Sequence, residues 1–166
     1  MTTHTIKENF LDQEYFNKLS ALICWSAGSF AWYLCRVVGH QTGDRRHDWY
    51  LSHVVYSSAN PRSSVYEDLR PFLNQIPDLK ALLRVKVNFY PPTDKVITYT
   101  PHIDYDYEHK GALFSLNTCD GFTGLEDGTK VDSIENRILF FNPQTPHSAS
   151  STTDPKGRFN INVNYL

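Results

Sequence analysis

A chain of 166 residues that is 40% hydrophobic, 14% aromatic and 20% charged can bury a real core and does not have the composition of a disordered chain. Its 16 basic and 18 acidic side chains leave a formal charge of −2, without the basic excess of a protein that neutralises phosphates, so duplex nucleic acid is disfavoured as a partner. It has no apolar run of the roughly 18 residues a membrane span needs, and the start "MTTHTIKENF" lacks the charged-then-apolar pattern of a secretory signal.

The chain is expected to form one domain over 1–166, with a helical N-terminal part over about 1–80 and a β-core over about 81–166. "LDQEYFNKLSALICWS" has apolar residues at Leu11, Tyr15, Leu19, Leu22 and Ile23, which is helical spacing, with Asp12 as N-cap and Gly28 near the stop. "YLSHVVYS" reads as a strand. "SSVYEDLRPFLNQI" reads as a second helix, with Ser64 near its start, Pro77 just beyond its end and Pro71 at a kink or break. After it the rhythm becomes β-like: "LLRVKVNFY", "KVITYTPHID", "ALFSLNT", "TKVDSI", "RILFFN" and "RFNINVNYL", divided by "YPPTD", "CDGFTG", "EDGTK" and "TDPKG". Strands at this spacing indicate a sandwich or barrel, with the helices packed on one face. Cys24, Cys35 and Cys119 fit neither a disulfide framework nor a Cys-x-x-Cys metal site. They read as buried thiols of a reducing compartment, and the expected location is cytoplasmic.

Two of the strands carry an unusual polar set. Arg84, Lys86, Asn88 and Tyr90 alternate with Val85, Val87 and Phe89; Arg158, Asn160, Asn162 and Asn164 alternate with Phe159, Ile161, Val163 and Tyr165. Such a set either faces water or lines a polar cavity inside a barrel.

Residues i and i+2 of a strand project to one side, so His102 and Asp104 in "TPHIDYD" can offer a nitrogen and an oxygen to one ion. His147, after the apolar strand "RILFF", supplies a third donor. Two histidines and a carboxylate with open positions suit non-haem Fe(II), and the same donors suit zinc. Arg158 opens the last strand and is a partner for the carboxylate of an acidic cosubstrate. Tyr90 and Asn88 can hydrogen-bond the same ligand.

The ordered set "NFYPP … HID … GFTGLEDG … RILFFNPQTPH … GRFNINVNYL" resembles the Fe(II)- and 2-oxoglutarate-dependent dioxygenase superfamily, above all its small prolyl-hydroxylase-like members, over roughly Leu82 to Leu166. The resemblance implies an α+β, mainly β fold: a double-stranded β-helix (a jelly-roll, cupin-like barrel) with N-terminal helices packed against it. It implies Fe(II), 2-oxoglutarate and O₂, with His102, Asp104 and His147 as catalytic metal ligands. Arg158 would pair with the far carboxylate of 2-oxoglutarate, assisted by Tyr90. Asn88 and Asn160 match positions that hold the cosubstrate in the nucleic-acid demethylase branch, which "RFNINVNYL" also resembles. The implied reaction is hydroxylation of a C–H bond in a peptidyl (prolyl-like) or small-molecule substrate, with release of succinate and CO₂. The readings kept beside it are a non-catalytic, cupin-like metal-binding protein, a nucleobase-demethylating dioxygenase and a purely structural β-sandwich. Oligomeric state is not legible.

Other polar residues receive plainer readings. Asp106 is a second-choice ligand beside Asp104. His109 is expected in a solvated turn, His4, His40 and His47 in polar segments, His53 as a hydrogen-bonded sheet residue, and "GDRRHDW" as a solvated loop. Tyr99, Tyr105, Tyr107 and Phe114 read as packing that can wall a site, and Arg84 and Lys86 as the wet side of their strand. With the chain closing on the last strand, substrate contacts are expected from the N-terminal half and the inter-strand loops.

Overall fold

The computed structural model describes residues 4–26, 28, 30–36 and 49–166. His40, His47 and most of "GDRRHDW" lie outside them. The elements run β1 (Thr5–Lys7), α1 (Gln13–Cys24), β2 (Tyr33–Arg36), β3 (Trp49–Ser57), β4 (Asn60–Pro61), α2 (Val65–Leu73), β5 (Leu82–Tyr90), β6 (Lys110–Ser115), β7 (Phe122–Leu125), β8 (Lys130–Asp132), β9 (Arg137–Phe141), β10 (His147–Ala149) and β11 (Arg158–Tyr165).

The larger sheet has the order β1-β9-β6-β11-β5-β3-β2, with β4 beside β3; a smaller sheet has the order β10-β7-β8. The two sheets enclose a cavity, which is a jelly-roll arrangement, and the helices cover the outer face of the larger sheet. Phe16, Leu19 and Ile23 of α1 and Leu69, Phe72 and Leu73 of α2 share one core with Val85 and Val87 of β5, Phe114 of β6 and Ile161 and Val163 of β11. Phe114 is thus core, not site wall.

The first helix forms as its spacing requires, with the Asp12 carboxylate accepting from the Tyr15 N–H at 2.9 Å. The second carries Pro71 inside it. Proline disturbs the bonding of a helix interior, and here a side chain from the first helix repairs the damage. The Tyr15 hydroxyl donates to the Asp68 carbonyl at 2.7 Å and accepts from the Phe72 N–H at 3.2 Å. It therefore bridges a pair that would bond directly in an unbroken α-helix.

Several expectations are revised. The segment "KVITYTPHID" is not a regular strand; it lies beside β10 and the residue after it through isolated bridges, His102 to His147 and Thr98 to Ser150. Pro101 has no N–H to give to a ladder. "CDGFTG" is not only a turn, because its last residues begin β7. The first 80 residues supply β1 to β4 as well as both helices, and β1 pairs with β9 and β3 with β5. His109 is buried rather than solvated, its Nδ1 bonded to the Tyr107 carbonyl oxygen at 2.8 Å. His53 is a buried sheet residue bonded to the Ala31 carbonyl oxygen at 2.7 Å. The three cysteines are free thiols and half-buried. Among the described residues, no helix is long and apolar enough to cross a membrane.

Candidate metal centre and cosubstrate pocket

Antiparallel pairing of β5 with β11 sets Arg158 opposite Tyr90 and Asn160 opposite Asn88. With the valine and isoleucine positions committed to the core under the helices, the alternate positions must face the other way. Arg84, Lys86, Asn88, Tyr90, Arg158, Asn160 and Asn162 all line a cavity of about 360 Å³ between the sheets. The cavity-lining alternative holds, and the expectation that Arg84 and Lys86 form a wet face is corrected.

His102, Asp104 and His147 converge at one side of this cavity. One donor atom from each lies within 4.8 Å of the others. The His102 Nε2 is 3.9 Å from Asp104 Oδ1, and the His147 Nε2 is 4.0 Å from Asp104 Oδ2. Two neutral imidazoles and a carboxylate are the donors a divalent first-row ion takes, at about 2.0–2.2 Å for zinc and similarly for its neighbours. Asp106, two residues further on, is exposed and outside the group.

The surroundings prepare each donor. His147 is buried, its ring edge-on to Phe141, and its Nδ1 lies 3.0 Å from the Thr145 carbonyl oxygen. An Nδ1–H donated there leaves the Nε2 lone pair for a metal. His102 stands at the mouth, its side chain 53% exposed. Burial, and then the nearby His147, lower its pKa and favour the neutral ring, against the pull of Asp104. The Asp104 carboxylate accepts from Arg84 Nη2 at 2.8 Å, Asn164 Nδ2 at 2.8 Å and, more weakly, Asn162 Nδ2 at 3.4 Å. Burial works to raise its pKa, but Arg84, the Asn164 bond and the two imidazoles outweigh it and hold the group ionised below the usual carboxylate range.

Arg158 lies deeper, 1% exposed. Its Nε donates to Ser133 Oγ at 3.2 Å, its Nη1 to the Ser150 carbonyl at 3.1 Å and its Nη2 to Thr123 Oγ1 at 2.8 Å. All three partners are neutral, and a guanidinium has five N–H donors, so two remain for an incoming carboxylate. Burial lowers its pKa, while an arginine keeps its charge at neutral pH. Gly121 makes the room: a Cβ there would sit 2.7 Å from Arg158 Cδ. Gly157, at φ +79°, turns the chain into β11. Tyr90 lies under the guanidinium, 5.4 Å from ring centre to Cζ, stacks on Tyr50 at 5.3 Å and meets the tilted ring of Tyr99 at 5.7 Å. Tyr99 also lines the cavity; Tyr105 and Tyr107 stack on each other outside it, with Arg84 over Tyr105 at 5.2 Å. Asn88 Nδ2 donates to Asn160 Oδ1 at 2.9 Å, while the buried Asn88 Oδ1 finds no partner.

The reading from sequence did not single out Thr123, Ser133 and Ser150, which seat Arg158, or Asn162, Asn164 and Arg84, which hold Asp104. The alternating polar set on β5 and β11 was the available signal for the last three. For the serines and the threonine there was none, because short strands and loops bring them in from afar.

No protein-family model and no curated protein sequence matches the chain. Solved structures do match in fold. A Trichoplax adhaerens prolyl hydroxylase, in complex with a peptide fragment of the hypoxia inducible factor oxygen degradation domain, is 18% identical; the match covers 98% of this chain and 83% of that one, with TM-score 0.64. A Pseudomonas putida prolyl-4-hydroxylase is 15% identical, with 99% and 92% covered and TM-score 0.65. A non-heme alpha-ketoglutarate-dependent epimerase of nogalamycin biosynthesis is also 15% identical, with 99% and 78% covered and TM-score 0.67. At these identities the likeness is one of fold, and the fold is that of the 2-oxoglutarate–Fe(II) oxygenases, prolyl hydroxylases among them.

Proposed function

We propose that this chain is an Fe(II)- and 2-oxoglutarate-dependent oxygenase that hydroxylates a C–H bond of a peptidyl or small-molecule substrate and releases succinate and CO₂. The observation that carries the reading is the pairing, in one cavity, of the His102–Asp104–His147 cluster with a buried Arg158 that has no carboxylate partner among the described residues. A bare metal-binding barrel has no need of that second feature, because a buried unpaired cation costs stability.

In this reading His102, Asp104 and His147 hold the metal. The bound Fe(II), 2-oxoglutarate and O₂ together supply the oxidising chemistry, and the protein supplies geometry and exclusion of water. Arg158 takes the far carboxylate of 2-oxoglutarate with its two spare donors, oriented by Thr123 and the Ser150 carbonyl. Tyr90 packs beneath it, and Asn88 and Asn160 border the same ligand. The Thr145 carbonyl keeps His147 in the tautomer with a free Nε2. Arg84, Asn162 and Asn164 keep the Asp104 carboxylate ionised and pointed at the site. His102, half-exposed at the mouth of the cavity, would border the path by which a substrate reaches a metal held there.

Anaerobic addition of Fe(II) and 2-oxoglutarate is expected to give a visible charge-transfer band, and air with Fe(II) is expected to convert 2-oxoglutarate to succinate. Retention of zinc with no band would instead favour a metal-binding protein without turnover. Stimulation of succinate release by methylated oligonucleotides, and not by peptides or small acids, would move the substrate to nucleobases.

A further inference from the structure

Lys86 is not used by the chemistry proposed above, and Arg84 only through one arm on Asp104, yet both enter the cavity. They are successive residues of one face of β5, roughly 6–7 Å apart by strand rise. Lys86 Nζ donates to the neutral Tyr50 hydroxyl at 3.1 Å and lies 5.2 Å from the centre of that ring. Among the described residues it has no carboxylate partner. Arg84 has one arm on Asp104, and its buried Nε–H meets no acceptor. Arg36, of the same sign, stands at the rim.

Counting charge shows what this pair implies. Once the site is loaded, the metal dication, Asp104, Arg158 and the 2-oxoglutarate dianion sum to zero. Asp104 is then committed to the metal, and Arg84 and Lys86 remain as two cations facing the same cavity. Cations withdrawn from water persist where a counter-charge arrives. Burial, and secondarily the Arg84 charge, push the Lys86 pKa down to about 8, so it sits near the point where an approaching anion fixes its proton.

We infer that the primary substrate is a small organic acid whose anionic group is held between Lys86 and Arg84, beside the metal cluster. The inference rests on the oxygenase reading and narrows its substrate class. A cavity of about 360 Å³ that must also take 2-oxoglutarate suits a molecule of amino-acid size. A neutral peptide lying across the mouth would leave Lys86 without a counter-charge and Arg84 sharing Asp104 with the metal.

The test uses the anaerobic Fe(II)–2-oxoglutarate complex, with binding read by calorimetry and by perturbation of the visible band. The probes are matched pairs: N-acetylproline and its amide, N-acetylleucine and its amide, glycerol 3-phosphate and glycerol. At least one anion is expected to bind 10-fold or more tighter than its neutral partner, and the carboxylate and phosphate pairs separate the two anion types. Lys86→Met is expected to remove most of that preference while 2-oxoglutarate affinity stays within 2-fold, and Lys86→Arg to restore part of it. In the ligand-free protein, Lys86→Met is expected to raise the thermal midpoint by a few degrees, because it removes a cation without a counter-charge. A lowered midpoint would make Lys86 a structural residue and overturn the inference. Equal binding of every acid and its neutral partner, including no binding by either, with the visible band intact, would overturn the inference alone. Absence of the band would remove the oxygenase reading and this inference with it.

Discussion

The two faces of strands β5 and β11 obey opposite rules. On the outer face, Val85, Val87, Ile161 and Val163 are fully buried against the helices, and each contact there is complete in the folded chain alone. On the inner face, Arg158, Lys86 and Asn88 are withdrawn from water among neutral partners, and the buried Arg84 Nε, Asn88 Oδ1 and Asn162 Oδ1 atoms have none. One face is where folding finds its free energy, and the other is where the fold tolerates unmet polar demand that ligands would satisfy. Substitutions on the outer face should therefore cost stability and spare ligand affinity, and those on the inner face should do the reverse.

The sharpest separation is expected from His147→Ala, which should cut succinate formation on the order of a thousand-fold, with metal retention lost in elemental analysis and the folded β signal kept in circular dichroism. A stable protein that still turned over 2-oxoglutarate would remove His147 from the metal site. On the outer side, Phe72→Ala should cost about 3–5 kcal/mol in urea unfolding, because Phe72 is fully buried and packs on Phe114 with ring centres 5.0 Å apart. Its metal and 2-oxoglutarate affinities should stay close to those of the parent protein.

Arg158→Ala is expected to weaken 2-oxoglutarate binding by roughly 10- to 100-fold, in line with loss of a charge-assisted pair, and to weaken metal binding much less. An equal collapse of both would refute its assignment to the cosubstrate. Lys86 adds a pH test in the ligand-free protein. Its folded pKa is lowered to about 8 from 10.5, with Arg84 adding to burial and Asp104 and Cys35 opposing it. Below pH 8 the lysine is charged in folded and unfolded chains alike, so the full burial cost is present. Between the two values the folded chain releases a proton that the unfolded chain keeps, and the cost falls away. Lys86→Met should therefore exceed the parent protein by roughly 1–2 kcal/mol below pH 8, with the gap closing toward pH 10. A gap independent of pH would mean that the fold does not shift the Lys86 pKa and that its charge carries no burial cost. The smallest effect is expected from Tyr15→Phe, about 1 kcal/mol in thermal unfolding, because it removes the hydroxyl bridging the helix pair disturbed by Pro71.

Strand β5 was legible to the residue and β11 to within one, Leu166 falling outside it, because an unbroken period-2 pattern admits only one pair of faces. The His102, Asp104 and His147 set was legible as candidates, since a His-x-Asp pair and a later histidine can be read without coordinates. The short strands β1, β2, β7 and β10 were not, because three or four residues carry too little periodicity to count. His109 was misjudged because the polar residues around it say nothing of the rings of Tyr105 and Tyr107 that pack against it.

By itself, the sequence determined the alternation on β5 and β11, the helix that Asp12 caps, and the donor types available for a metal. All of these are local, set by backbone period and side-chain chemistry. Only the tertiary structure decided which face of the alternation meets water. Helices closing over the valines and a second sheet closing over the arginines turned Arg84 and Lys86 inward, and carried Thr123, Ser133 and Ser150 to Arg158. The burial of a side chain depends on what the rest of the chain lays over it, and that information is spread along the whole sequence.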